Sequence, residues 1–313
     1  MTTYLPGAPA LSVADLRGST RRRTKERVIR WVFLTAAGVS VIVSALIVIS
    51  LVTEAWSFVS RVEVASLWTI GWFPRRGLYD VKTLLVGTAL VSAIAMAVAV
   101  PVGLGAAIYL SEYARPPIRR LLKPIIEILA GIPSVVLGFF ALAWISPEIV
   151  QRLFTDAPQF NLLAAGIAVG VLTVPLMASI SEDAMRAVPA ELREASVGLG
   201  ARKMATTVRV VVPAAVSGLV AAFIVSVSRA IGETMVVAIA AGASGGSIFS
   251  TDVTQPGQTM TAAMASLAAG TDEVKGDSLA FQSLFFVGLL LFVLTLLLNL
   301  VANRFVTRVQ RRY

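Results

Sequence analysis

Two uncharged runs decide the class of this chain. From Trp31 to Thr53, and again from Thr83 to Ser111, no side chain carries a charge. Each run exceeds the roughly 20 residues that a helix needs to cross about 30 Å of hydrocarbon. Lipid offers no water to peptide groups, so such a run folds as a helix that closes its own hydrogen bonds. Further apolar runs bring the expected spans to six, near 31–52, 83–110, 128–147, 161–181, 210–241 and 279–303. The expected fold class is therefore all-α integral membrane. Composition agrees: 57% of residues are hydrophobic and 14% charged, against about 25% charged in a soluble domain.

Absent residues narrow the chemistry. The chain has no His and no Cys, so it holds no Ser-His-Asp triad, His-based zinc site, thiolate or disulfide. No Gly-rich loop ends in Gly-Lys-Ser/Thr, so any use of ATP belongs to a partner chain. No cofactor and no metal is expected. Net charge is +9, but the cations flank apolar spans instead of forming a patch on a polar domain, which argues against nucleic acid as a partner. The apolar run after the basic first 30 residues is too long for the 7–15-residue core of a signal peptide.

Loop charges set an expected orientation. Basic residues crowd the first 30 residues, the segment with Arg115, Arg119, Arg120 and Lys123, the segment with Arg186, Arg193, Arg202, Lys203 and Arg209, and the end with Arg304, Arg308, Arg311 and Arg312. The alternating loops near 147–160 and 242–278 hold only Arg152 and Lys275. Positive-inside counting places both termini in the cytoplasm. The loop at 53–82 departs from this with Arg61, Arg75, Arg76 and Lys82. Its Trp56, Trp68, Trp72, Phe73 and Tyr79 suit a membrane–water interface, in an interfacial and partly helical segment. The Gly/Ser-rich stretch 242–258 reads as an irregular outer connection. The expected organisation is a basic tail over 1–30, an accessory span and outer loop over 31–78, a core over 79–303 with a cytoplasmic loop at 182–209, and a basic tail over 304–313.

Pro189 to Pro213 is polar and lies between apolar spans. Pro189 suits a helix start. Leu192, Ala195, Ser196 and Leu199 recur at helical spacing, and Gly198 and Gly200 supply a tight break. A short helix, a break and a second helix make a protruding elbow that fits a groove on a soluble partner.

Inside the fifth span stands Ser228-Arg229-Ala230-Ile231-Gly232-Glu233-Thr234. On an unbroken helix Arg229 and Glu233 share one face. A charge at the bilayer centre costs roughly 2.5–3.5 kcal/mol on insertion scales, so such residues are retained for function or strictly for packing. One reading makes Arg229 a planar fork for the oxygens of an anion, with Glu233 restraining it and Thr234 adding a hydroxyl. The other makes the pair a lock between helices. Glu127 reads as an interface residue, and Pro101 and Pro133 as kinks.

At this point the chain resembles the permease subunits of ABC importers. Their cytoplasmic loop carries E-A-A, three residues, G, nine residues, I-x-L-P. It stands here as Glu194-Ala195-Ser196, Gly200 and Val210-Val211-Val212-Pro213. The strings AGIPSVVLGF (130–139) and SRAIGETMVV (228–237) are similar to phosphate-importer permeases of the PstC type. The resemblance covers roughly residues 80 to 303. It implies a type I ABC importer permease architecture in a bacterial inner membrane. It also implies two copies of an ATPase subunit, a PstA-type second permease and an extracytoplasmic phosphate-binding protein. By the same resemblance Glu194, Ala195, Ser196, Gly200 and Pro213 couple to the ATPase, while Arg229 and Glu233 act in transport. A permease for molybdate, sulfate or another solute is the nearest alternative, and a non-transporting scaffold or sensor subunit is one of another class.

Overall fold

The computed structural model describes residues 20–242, 246–269 and 279–310. The basic ends before 20 and after 310, the centre of the Gly/Ser stretch at 243–245, and Lys275 lie outside them. The chain divides into two compact units, 1–51 and 52–313. In the first, helix α1 (Thr20–Arg61) begins, and its apolar side chains from Val28 to Ile47 are exposed, as a lipid-facing helix requires.

The second unit is a helical bundle. Its elements are α2 (Val81–Tyr113), α3 (Pro116–Leu129), α4 (Ser134–Leu153), α5 (Leu162–Arg186), α6 (Ala190–Gly198), α7 (Lys203–Ala214), α8 (Val216–Ile231), α9 (Met235–Ala240), α10 (Met260–Ala268) and α11 (Leu279–Gln310). Among the described residues five helices, α1, α2, α4, α5 and α11, are long and apolar enough to cross a membrane. The bent pair α7 and α8 makes a sixth span if it is counted as one. The six expected spans thus correspond to helices, with shifted limits. The third begins at Ser134, because Gly131 to Pro133 separates it from the amphipathic α3. The fifth is not the unbroken helix expected over 210–241. It bends by 71° between Ala214 and Val216, and it breaks again between Ile231 and Met235.

Helices α2 and α5 run parallel at the centre, and small residues let them meet. A Cβ on Gly103 would lie 2.9 Å from the Met177 side chain, one on Gly166 2.7 Å from Ile94, and one on Gly170 2.7 Å from Val98 and 2.9 Å from the Ala95 carbonyl. Lipid tails are as apolar as leucine, so packing at close backbone range drives helix association in a membrane. Around this seam Val91, Ala95, Ala141, Ile145, Ala165, Val169, Val236 and Val237 form the main core. Pro101 and Pro175 sit inside α2 and α5. Pro147 falls where α4 widens to π-helical turns over Ala141–Val150, a geometry that relieves the missing N–H.

At the end of the bundle opposite the elbow, β1 (Gly71–Phe73), β2 (Leu78–Tyr79) and β3 (Ser247–Ile248) form an antiparallel sheet of order β2-β1-β3. Trp72 stands opposite Tyr79 and Ser247. The segment 53–82 was expected to lie at the interface and be partly helical. It is helical over Val64–Trp68, but three of its aromatics, Phe58, Trp72 and Tyr79, turn inward. Trp72 and Tyr79 are buried with Phe58 and Met260, while Trp56 and Trp68 stay exposed. The supposedly irregular 242–258 stretch contributes β3 to this sheet. Asn161 begins α5 here: its Oδ1 accepts from Ala164 N at 2.7 Å and its Nδ2 donates to Ser146 Oγ at 2.9 Å.

Filling the α2–α5 notch tests this account. Gly170→Leu is expected to cost about 1–3 kcal/mol by overpacking and to lower the thermal unfolding midpoint in detergent. Gly105→Ala, at a position with nothing within 4 Å, is expected to leave that midpoint unchanged or raise it.

Candidate functional site

Two places bring charge and broken backbone together. The first is the gap between α8 and α9. Gly232 closes α8, its N–H donating to Ser228 O at 3.1 Å, and Glu233 N donates to Ala230 O at 3.3 Å. The groups freed by the break find partners nearby. Glu233 Oε1 accepts from Val236 N at 3.4 Å, Glu233 O accepts from Thr261 Oγ1 at 2.7 Å, and Thr234 Oγ1 donates to Gly232 O at 3.3 Å. A break at membrane depth is tolerated only when side chains re-satisfy the backbone in this way.

Glu233 therefore does two jobs. It accepts an N–H from the first turn of α9, and it faces Arg229, whose Nη2 lies 3.9 Å from Glu233 Oε2. The two partners differ in access: the Arg229 side chain is 53% exposed and that of Glu233 5%. The pair does not stack along one continuous helix face. Arg229 belongs to the last turn of α8, and Glu233 is fixed by the break. Arg229 continues an exposed stripe with Val225 and Gly232. It lies about 20 Å from the start of α8 at 1.5 Å per residue. A cavity of about 210 Å³ opens beside the break, but apolar groups such as Met235, Val237 and Ala262 line it, joined by Gln258 and Ser266. That cavity lacks a charged wall and is no place for an anion.

The second place is the elbow. Pro189 immediately precedes α6, with an extended ψ of 141°. Leu199 follows α6, and Gly200 takes φ 80°, which an L-residue adopts at a cost. Gly198 stays within the helix, so Gly200 alone supplies the left-handed backbone there. Ala201 N donates back to Ser196 O at 3.1 Å, and Gly200 N to Val197 O at 2.8 Å, satisfying carbonyls that a helix end leaves open. Ser196 Oγ lies 2.9 Å from Thr206 Oγ1, so serine in place of the pattern's alanine ties the two arms together. Glu194 and Ala195 are exposed, and Pro213 lies in the short turn before the 71° bend. Leu199 is 91% exposed, with Val197, Met204 and Val208 also bare.

Ion pairs at this end carry more than topology counting assigns them. Glu182 of α5, fully buried, accepts from Arg119 Nε at 2.5 Å and stands 3.4 Å from Lys123 Nζ. Lys123 also meets Asp183 at 2.9 Å. The hydrogen bond to Asp183 holds the Lys123 ammonium above its ordinary value, with the Glu182 and Asp183 charges adding and burial opposing. Arg193 of α6 meets Glu112 of α2 at 3.0 Å. In the sequence these cations read only as orientation signals. The paired Glu182-Asp183 at the close of an apolar span was the available hint.

A membrane bundle with a broken, arginine-bearing span and a bare apolar elbow at one end is built as a transport subunit. The chain belongs to the family of binding-protein-dependent transport system inner membrane components, whose profile matches residues 99–313. It is a multi-pass membrane permease and not an enzyme. It is 32% identical over 284 residues to the phosphate transport system permease protein PstC of Mesorhizobium japonicum, covering 85% of each chain. It is 34% identical over 258 residues to PstC 1 of Mycobacterium bovis, covering 76% of this chain and 75% of that one. Its fold is similar to a chain of the inward-facing MetNI methionine ABC transporter, with a TM-score of 0.53 at 22% identity over 73% of this chain and 94% of that one. That neighbour supports the type I importer permease fold.

Glu182→Gln is expected to remove one buried charge from the cluster at the elbow end. Arg119 and Lys123 keep partial contact with solvent, so the loss is set at about 1–3 kcal/mol. The check is the thermal midpoint of the purified protein, which should fall.

Proposed function

We propose that the chain is the phosphate-conducting permease of an ATP-driven importer, working by alternating access. The observation that carries this reading is the half-exposed Arg229 guanidinium beside a break in a membrane span. A charge at that depth is costly against lipid, so its exposed face borders a water-filled path or another chain. Arg presents parallel N–H donors that match the oxygens of a phosphate. Glu233, 3.9 Å away, competes for the same guanidinium. The contact is thus a passing one, as conduction demands. Thr234 supplies a hydroxyl at the rim. The names of the similar permeases, phosphate transport system proteins, support phosphate over other oxyanions.

The elbow points to a motor on a separate chain. Its exposed Leu199, Val197 and Met204 suit a hydrophobic groove on a soluble partner. Glu194, Ala195, Ser196, Gly200 and Pro213 shape that contact. In this reading two copies of an ATPase subunit engage the elbow and that of a related second permease. The resemblance of this chain to PstA 1 of Mycobacterium tuberculosis, 33% over 226 residues, supports pairing between homologous permeases. An external phosphate-binding protein delivers its ligand at the sheet-bearing end. Both termini and the elbow face the cytoplasm, as the basic loops indicate. ATP binding favours one of two arrangements of the bundle, and the path opens to the other side.

Two variants test the reading in the complex reconstituted in liposomes. Arg229→Ala is expected to abolish phosphate uptake while the complex still assembles, and Arg229→Lys to retain a fraction. Sulfate and molybdate should compete poorly with uptake by the unaltered chain. Loss of assembly instead of uptake would assign the pair to packing. Gly200→Val forces a β-branched residue to φ 80° and is expected to leave ATP hydrolysis running with uptake lost. Because the chain has no cysteine, a single Leu199→Cys reports the side on which the elbow lies. Labelling from the outside of intact cells would contradict the orientation.

A further inference from the structure

We propose that Arg193 is a positioning residue that rivets the elbow to the bundle, so that movement of α6 reaches α2 and α5 as one body. The proposal deepens the reading of the elbow as a lever driven by a partner. Covalently, α6 joins α5 only through Ala187 to Pro189, and α7 only through Leu199 to Arg202. No residue of α6 is buried, so apolar packing does not hold it. Within Ala190–Gly198 only Arg193 and Ser196 are half-buried. Ser196 faces the other arm of the elbow through Thr206. Arg193 faces the bundle.

The Arg193 contacts span three elements. Nη1 donates to Val188 O at 2.6 Å, and Nη2 donates to Met185 O at 2.8 Å. The Met185 carbonyl lies in the last turn of α5, where a helix end gathers negative potential, and the Val188 carbonyl lies in the link just beyond it. Nη2 also meets Glu112 Oε1 at 3.0 Å, and Nε donates to Glu112 Oε2 at 3.5 Å. The Glu112 side chain is only 8% exposed, is steadied by Ser111 Oγ at 2.9 Å, and belongs to the π-helical last turn of α2. One planar group therefore joins α6, the end of α5 and the end of α2. Those two helices are the pair locked by Gly103, Gly166 and Gly170. A push on α6 has a polar strut into the most tightly joined part of the bundle. Without the strut it has the chain link and the other arm.

The test is phosphate taken up per ATP hydrolysed by the reconstituted complex, a ratio that the amount of assembled protein does not change. Removing a charge-assisted, multiply bonded group is expected to matter by about tenfold. Arg193→Ala should lower the ratio by about that factor while ATP hydrolysis continues. Arg193→Lys should fall in between, since one ammonium cannot span the fork. Glu112→Gln keeps the guanidinium on its carbonyls and weakens only the α2 arm. It should lower the ratio several-fold, and it decides the matter if Arg193→Ala does not assemble. A ratio equal to that of the unaltered chain in Arg193→Ala, or in Glu112→Gln where the former is absent, overturns the proposal even if stability drops. If the unaltered chain retains no ATPase on purification, the lever reading itself fails, an outcome seen before any variant is made.

Discussion

Side chains are missing where α2 meets α5, and the rest of the bundle is arranged around that contact. Two parallel helices approach until backbone and side chain touch at Gly103, Gly166 and Gly170. In lipid no hydrophobic gain comes from removing a leucine from its surroundings, so association depends on contact at short range. Helix α8 runs back along α5, with Gly218 against Ala184 and Ser226 Oγ 3.6 Å from Met177 Sδ. Helix α9 packs on α4 through Gly138, where a Cβ would stand 3.1 Å from Ile239. The same device recurs at these three seams: a small residue on one helix takes the bulk of another.

Polar chemistry is confined to places that this frame fixes. At the elbow end, Glu182 and Glu112 sit at the closing turns of α5 and α2 and gather Arg119, Lys123 and Arg193. The three cations keep partial exposure to water, which lowers the cost of burial. Within the span, one charge is left reachable and its partner hidden. The hidden one, Glu233, takes on the unsatisfied N–H of Val236, so the carboxylate that opposes Arg229 is held by the backbone it caps. This arrangement ties the helix break to the electrostatics of the Arg229–Glu233 pair.

Much of the architecture was legible residue by residue. Hydropathy alone located the spans, because each must satisfy its own peptide groups within one segment. Gly200 read as a turn and takes φ 80°. Arg229 and Glu233 read as a pair and stand 3.9 Å apart. Illegible were the second break at Gly232 to Thr234, the burial of Trp72 and Tyr79, and the partners of Arg193 and Glu182. Each depends on a residue distant in the chain: Thr261 Oγ1 donates to the freed carbonyl of Glu233, and β3 pairs with β1.

By itself the sequence determined the class of molecule, the location of the apolar spans and the position of the elbow, since these follow from composition and spacing along one stretch. Only the tertiary structure decided which helix ends meet. A cation near a span can orient the chain, neutralise an acid or clasp a carbonyl. The choice among these rests on what lies within about 3 Å, and for Arg193 that includes Glu112, 81 positions away on another helix, beside the nearby carbonyls of Met185 and Val188.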